Sequence, residues 1–249
     1  MSDERGIRVS EADGLARVSI HLPPVNVLSV AYLNELGWAV ESSRAARVIV
    51  LSGLPRAFSA GVEIAEHAPE PETIEKMLQA MRRVLTALIE SPAVTVAAIT
   101  GACLGGGAEI AAACDFVIAA EDARIGYPEI RLACFPPGAA ALLPSRIGEA
   151  RAIDWILTGR SFSGKEAAAA GFATRAVPAL SVRHETERLA GDLLSRAPGG
   201  LDAARDLLRA ERRRALANLD AAEAAYRKLE GNADLARAVL EFRKDRRPR

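Results

Sequence analysis

The sequence predicts an α/β fold followed by a helical C-terminal module. Short β-branched runs bounded by Gly, Ser and Pro alternate with amphipathic helical stretches over the first two-thirds of the chain. Beyond Val182 the pattern becomes almost wholly helical and rich in Ala, Leu, Arg and Glu. The 249 residues, 50% hydrophobic and 26% charged, have the composition of an ordered domain with a sizeable core.

Ile7 to His21 alternates in hydrophobicity and is broken by Ala12-Asp13-Gly14, the pattern of a β-hairpin. Val48-Ile49-Val50-Leu51, Val94 to Ile99 and Phe116-Val117-Ile118 are continuous apolar runs, as in strands buried on both faces. Between them, Leu33, Leu36 and Val40 share one helical face. A longer helix opens after Pro69-Glu70-Pro71 and sets Ile74, Met77, Leu78, Met81, Leu85 and Leu88 on one stripe. Ser163-Gly164-Lys165-Glu166 is a capping box opening a short helix that Gly171 ends. Ala197-Pro198-Gly199-Gly200 interrupts the helical tail, so the expected division is a core over 1–195 and a helical module over 196–249.

Several classes of partner are disfavoured. Thirty-two Lys and Arg balance 32 Asp and Glu, so no global field draws nucleic acid or an anionic membrane. The start, MSDERGIRVS, lacks the apolar stretch of a secretory signal, and no run of about 18 apolar residues is present. A cytoplasmic location without a membrane partner is expected. Cys103, Cys114 and Cys134 form no CxxC pair and lie near no histidine cluster, so buried free thiols are expected rather than a disulfide framework or metal site.

Three segments carry candidate chemistry. Ala57-Phe58-Ser59-Ala60-Gly61-Val62-Glu63 follows a buried strand with small residues that let the backbone turn tightly and expose N–H groups; alone it is also an ordinary strand-to-loop turn. Gly101-Ala102-Cys103-Leu104-Gly105-Gly106-Gly107-Ala108-Glu109 follows the Val94–Ile99 strand and opens an alanine-rich helix. Three consecutive glycines admit a close approach, and a helix N-terminus offers unpaired N–H groups to a developing oxyanion; a tight strand–helix crossing is the plain alternative. The contiguous glycines match neither a dinucleotide loop nor a phosphate loop. Gly126-Tyr127-Pro128-Glu129-Ile130 sets a second carboxylate among apolar residues. Two carboxyls in an apolar site would have raised pKa values suited to proton transfer, although a glutamate taken singly is more often solvated or paired.

Together, Phe58–Glu63, Gly105–Glu109 and Pro128-Glu129, in that order and spacing, resemble the enoyl-CoA hydratase/isomerase (crotonase) family. Pro24-Val25-Asn26-Val27-Leu28 looks like that family's early CoA-binding stretch, and the resemblance runs from about Ile7 to Val177. It implies the crotonase (ClpP/crotonase-like) fold of repeated ββα units in two nearly perpendicular sheets, with C-terminal helices that assemble a homotrimer or a dimer of trimers. It implies an acyl-CoA thioester substrate and no separate cofactor or metal, coenzyme A being part of the substrate. By motif match, Val62 and Gly106 supply the oxyanion-hole N–H groups, and Glu109 and Glu129 are the catalytic glutamates. Val25, Val27, Ala60, Gly61 and Gly105 line the CoA side. The implied reaction is hydration of an enoyl-CoA, with isomerisation by one shuttling glutamate as an alternative.

A finer resemblance concerns the acyl group. Where the family continues with a glycine-rich segment, this chain has Cys134-Phe135-Pro136-Pro137-Gly138 running on to Leu142-Leu143-Pro144-Ser145-Arg146-Ile147-Gly148. That stretch, and Ile64-Ala65-Glu66-His67-Ala68-Pro69, look like the cyclohexa-1,5-diene-1-carbonyl-CoA hydratase branch. The C-terminal Asp234–Lys244 segment matches the family pattern less well. A non-catalytic or RNA-binding relative is the remaining alternative, weakened because Tyr32–Trp38 carries no lysine stripe. His67 is expected as a plain loop histidine, with an approach to the acyl pocket from beside the Val62 loop as the alternative, and Asp115 as a turn residue. Arg209, Arg212, Arg213, Arg214 and the Arg243–Arg249 tail are expected as solvated basic patches.

Overall fold

The structure, a computed structural model, describes residues 5–245. Strands β1 (Gly6–Ala12) and β2 (Leu15–His21) form the expected antiparallel hairpin, with Ala12 opposite Leu15 across Asp13-Gly14. The two-residue strand β3 (Val27–Leu28) leads into helix α1 (Val30–Ser42), whose Leu33, Leu36 and Val40 are buried and whose N-terminus is capped by the Ser29 hydroxyl.

A unit of two strands and a helix then repeats. Strand β4 (Val48–Ser52) is followed by β5 (Ala57–Ser59), the short β6 (Gly61–Val62) and helix α2 (Pro71–Ile89). Next come β7 (Val94–Ile99), β8 (Ala102–Leu104) and α3 (Gly106–Ala113). The third copy is β9 (Phe116–Ala120), β10 (Arg124–Gly126) and α4 (Pro137–Ile147). The first strand of each unit joins one sheet and the second joins another. Helix α5 (Glu149–Thr158), strand β11 (Ser161–Ser163), the capping-box helix α6 (Gly164–Ala169) and strand β12 (Arg175–Val177) complete the sheets. Their orders are β1-β2-β4-β7-β9-β12 and β11-β10-β8-β5, and β3 pairs in parallel with β6. Every residue of β7 is buried, as its unbroken apolar sequence requires of a central strand covered on both faces.

Helices α7 (Val182–Leu194), α8 (Pro198–Leu208), α9 (Ala210–Ala217), α10 (Leu219–Arg227) and α11 (Ala233–Asp245) form the expected helical tail. Helices α9 and α10 pack on α4 and α2, against the layer that carries the candidate site.

Two expectations are overturned where this tail meets the core. Arg209 is fully buried: its Nε donates to Asp115 Oδ1 at 2.8 Å and its Nη2 to the Ala93 carbonyl at 2.7 Å. Arg212 donates to the Ala113 carbonyl at 3.0 Å and also pairs with Asp115. Asp115 is therefore an interior anchor rather than a simple turn residue. It accepts the Thr95 N–H at 2.8 Å as well. Burial alone would raise its pKa, but the hydrogen bonds and charge of Arg209, with the charge of Arg212, outweigh that and hold the carboxyl below its ordinary value. A carboxylate held inside needs matched cations, so these two arginines leave the solvated face. Arg213 and Arg214 remain partly or largely exposed, while the Arg243–Arg249 tail lies outside the described side chains.

Candidate active site

The Gly105–Gly107 run sits where β8 hands over to α3. Gly105, the residue before the helix, has φ +52°, and a Cβ there would stand 2.4 Å from Glu129 Oε1. A side chain at this position would therefore meet both backbone strain and the carboxyl that packs against it. A Cβ on Gly106 would stand 2.7 Å from Val62 Cγ2 and 3.6 Å from the Val62 nitrogen. Thus Val62 and the first turn of α3 are in direct contact. The Gly106 N–H belongs to the first helical residue, which has no partner within the helix.

Glu109 lies one turn into α3 and is 3% exposed; its Oε1 accepts the Ala139 N–H at 2.9 Å, from the first turn of α4. Glu129 lies in a 3-10 turn over Pro128–Leu132, is 6% exposed, and its Oε2 has no hydrogen-bond partner. Tyr127, beside it, is fully buried and donates from its hydroxyl to the Ala108 carbonyl at 3.2 Å, tying this turn to α3. Burial pushes the Glu109 carboxyl up to about 7, and burial together with the Glu109 charge pushes Glu129 up to about 8. Two such neighbours cannot easily both ionise, so near neutral pH they share a proton.

Both carboxyls line one inner cavity of about 20 Å³, with Met77, Met81, Phe135 and His67 among its walls. That volume holds about one water, and the methionine and leucine side chains of its wall would have to shift for an acyl chain to enter. An outer groove of about 270 Å³ is lined by Val27, Ala60, Glu63, Arg131 and Phe242. Val62 lines both spaces and marks their junction.

The predicted residues thus fall into two sets. Val62, Gly106, Glu109 and Glu129 come together at the inner cavity, with Gly105 packed against Glu129. Val27 and Ala60 face the outer groove. Val25 and Gly61 support it through the backbone: the Val25 carbonyl accepts the Ala60 N–H at 2.9 Å, and Gly61 pairs with Val27 across β3 and β6. The buried Asn26 locks this corner, donating to the Ile20, Ala57 and Phe58 carbonyls at 2.9–3.0 Å. Phe135, Pro136, Pro137 and Gly138 border the inner cavity, as the sequence segment suggests. Arg146 from the same segment instead binds the Ala112 and Cys114 carbonyls at 2.9 and 2.8 Å, closing the C-terminal end of α3.

His67 follows the lesser of its two sequence readings, and one further contribution escapes the sequence altogether. His67 is no plain loop histidine: it is buried, lines the inner cavity, and its Nδ1 lies 2.7 Å from the Tyr226 hydroxyl. Leu219 and Glu223 of α10 also line that cavity. Nothing local to the α10 sequence names the surface that it covers.

A pair of buried carboxyls beside a helix N-terminus has the chemistry to move protons close to N–H groups that can hold an oxyanion. Comparison with known proteins gives the same class. The family model for enoyl-CoA hydratase/isomerase matches residues 10–249, so the match continues through the C-terminal helices, beyond the stretch where the motifs lie. The chain is 38% identical over 201 residues to a probable enoyl-CoA hydratase of Bacillus subtilis, covering 78% of each protein. It is 37% identical over 160 residues to the cyclohexa-1,5-dienecarbonyl-CoA hydratase of Thauera aromatica, covering 63% of this chain and 61% of that relative. The structure resembles that of an enoyl-CoA hydratase from Mycobacterium avium subsp. paratuberculosis, with TM-score 0.83, 26% identity and 98% of each chain covered. The chain belongs to the enoyl-CoA hydratase/isomerase family.

Proposed function

We propose that the protein is a hydratase that adds water to the double bond of a 2-enoyl-CoA or a cyclic dienoyl-CoA. The observation that carries this reading is the pair of buried, proton-sharing carboxyls, Glu109 and Glu129, on the walls of a cavity with room for about one water. The Bacillus and Thauera relatives, both named as hydratases, support it.

In this mechanism coenzyme A enters as part of the substrate, its arm along the groove bordered by Val27 and Ala60. The thioester carbonyl sits at the junction marked by Val62. The N–H groups of Val62 and Gly106 hold that oxygen more tightly as it gains negative charge; removing one such donor typically costs about 10²–10³ in rate. Glu109 takes a proton from water as the water oxygen bonds to C3. The electron pair of the double bond moves into the enolate, and Glu129 returns a proton to C2. One water is consumed, and the pair is reset when the proton on Glu109 passes back to Glu129. The C-terminal helices are proposed to serve trimer assembly as well as the cavity wall.

The test is hydration of crotonyl-CoA and of cyclohexa-1,5-diene-1-carbonyl-CoA, following hydroxyacyl-CoA product. At least one substrate is expected to turn over, and Glu109→Gln and Glu129→Gln should each lower kcat by two or more orders of magnitude, within the roughly 10²–10⁴ range of general acid–base groups. Hydroxyacyl-CoA formation that both variants leave unchanged would refute the carboxylate roles. A shifted double bond with no hydroxyacyl-CoA would mean isomerisation instead. Preference for the cyclic diene would support the branch suggested by the Phe135–Gly138 segment.

A further inference from the structure

Most of the inner cavity wall is hydrocarbon, supplied by residues such as Met77, Leu78, Leu85 and Leu219. Its charged members away from the two glutamates satisfy each other. Arg82 Nε donates to Glu223 Oε1 at 2.9 Å, and Arg82 Nη2 lies 2.8 Å from Glu223 Oε2. The imidazole of His67 differs. Its Nδ1 is held at 2.7 Å by the Tyr226 hydroxyl, whereas its Nε2 has no hydrogen bond among the described residues and is not a sealed buried atom. Tyr226 is fully buried, with its ring 5.5 Å from that of Phe135, so it gives the imidazole a rigid support from α10. A ring nitrogen that is not sealed off and has no partner among the described residues is open to a hydrogen bond from a bound molecule.

We propose that His67 is a specificity-determining residue of the acyl pocket and hydrogen-bonds, through Nε2, a hydroxyl carried by the acyl chain beyond C3. This deepens the hydratase reading and rests on it. When the Tyr226 O–H donates to Nδ1, Nε2 carries the ring proton and donates to the acyl oxygen; in the other tautomer Nε2 accepts from the acyl hydroxyl. A hydroxyl satisfies both arrangements and a plain hydrocarbon neither. The preferred substrates are therefore enoyl-CoA thioesters with an oxygenated acyl group, and Tyr226 is the positioning residue that aims the imidazole.

The experiment compares trans-2-hexenoyl-CoA with its 4-, 5- and 6-hydroxy derivatives. At least one hydroxylated substrate should exceed hexenoyl-CoA by about tenfold in kcat/KM, mostly through KM, as expected for one added hydrogen bond to a buried polar group. His67→Phe, which keeps a ring of similar size but no hydrogen-bonding nitrogen, should abolish that advantage, so that hydroxylated and plain substrates share one kcat/KM. His67→Gln, which retains a polar amide, should restore part of it, and Tyr226→Phe should reduce it. Thermal melting of each variant separates these effects from misfolding. No advantage for any hydroxylated substrate, or an equal fall on all four in His67→Phe, would overturn the proposal while leaving the hydratase reading standing. Failure to hydrate all four as well as crotonyl-CoA and the cyclic diene would overturn both.

Discussion

Glu109 and Glu129 hold their protons to higher pH than ordinary glutamates do. Burial raises the pKa values of both, and the charge of Glu109 adds to the effect at Glu129. The proposed mechanism needs one carboxylate and one carboxylic acid, so kcat/KM should rise to a maximum between about pH 7 and 8 and fall on both sides. The same shifts carry a stability cost of definite sign. In the unfolded chain a glutamate loses its proton near pH 4.5, while the folded pair holds its protons until about pH 7 to 8. Stability from this source is fully present below the unfolded value and is lost as pH rises through the folded values. Glu129→Gln, which cannot ionise, should therefore melt at a higher temperature than the parent at pH 8 and show little gain at pH 4; scanning calorimetry at the two pH values checks this. Both glutamates were legible in the sequence because each sits in a short, unusual motif. His67 was legible only as the lesser of two readings, because its orienting partner, Tyr226, lies 159 residues away.

At the scale of the element, the consequential piece is the first turn of α3. The sequence announces it through three glycines, and the structure gives two of them different reasons. Gly105 must turn with positive φ beside the Glu129 carboxyl, while Gly106 must leave room for Val62. The Gly106→Ala methyl would press on the Cγ2 of a β-branched side chain with little freedom to yield, and so on the peptide that offers the second N–H. We expect Gly106→Ala to lower kcat by about 10² or more, as for loss of one oxyanion donor, with only a modest fall in melting temperature. Steady-state kinetics beside a melting curve distinguishes this from general destabilisation. Helix α2 was readable because its hydrophobic period runs over 19 residues, and β7 because its apolar run is unbroken. The two- and three-residue strands β3, β6, β8 and β10 were not, since pairing with distant partners, and not local pattern, makes them strands.

For the whole molecule, the important joint is between the helical tail and the α/β core. Asp115, Arg209 and Arg212 fasten it from inside, and α10 then completes the cavity wall. Removing one cation leaves a carboxylate buried with too few partners, which typically costs about 3–5 kcal/mol. Arg209→Met should show a loss of that order in urea unfolding, and the double change Asp115→Asn with Arg209→Met should lose less than the sum of the singles. Local pattern reported Arg209 as one more basic residue on a polar helix. The buried partner that changes its role comes from the turn between α3 and β9, and only the assembled fold brings the two together. The soft division of core from tail by Ala197–Gly200 likewise says nothing of how α10 returns to the site.

The inner cavity also separates the parts that can diverge from those that cannot. The oxyanion donors are proposed to be backbone groups, and the proposed base and acid are buried carboxyls on α3 and on the Pro128–Leu132 turn, so little variation there would leave the chemistry intact. The wall facing the acyl group is another matter, because Met77, Met81 and Phe135 are side chains whose size and rotamer can change without moving the reacting atoms. A lineage with this architecture can explore new acyl groups by exchanging a few movable side chains on an otherwise conserved reaction centre. Directed evolution for a bulkier substrate has the same starting point: shorten the wall and leave the turns alone.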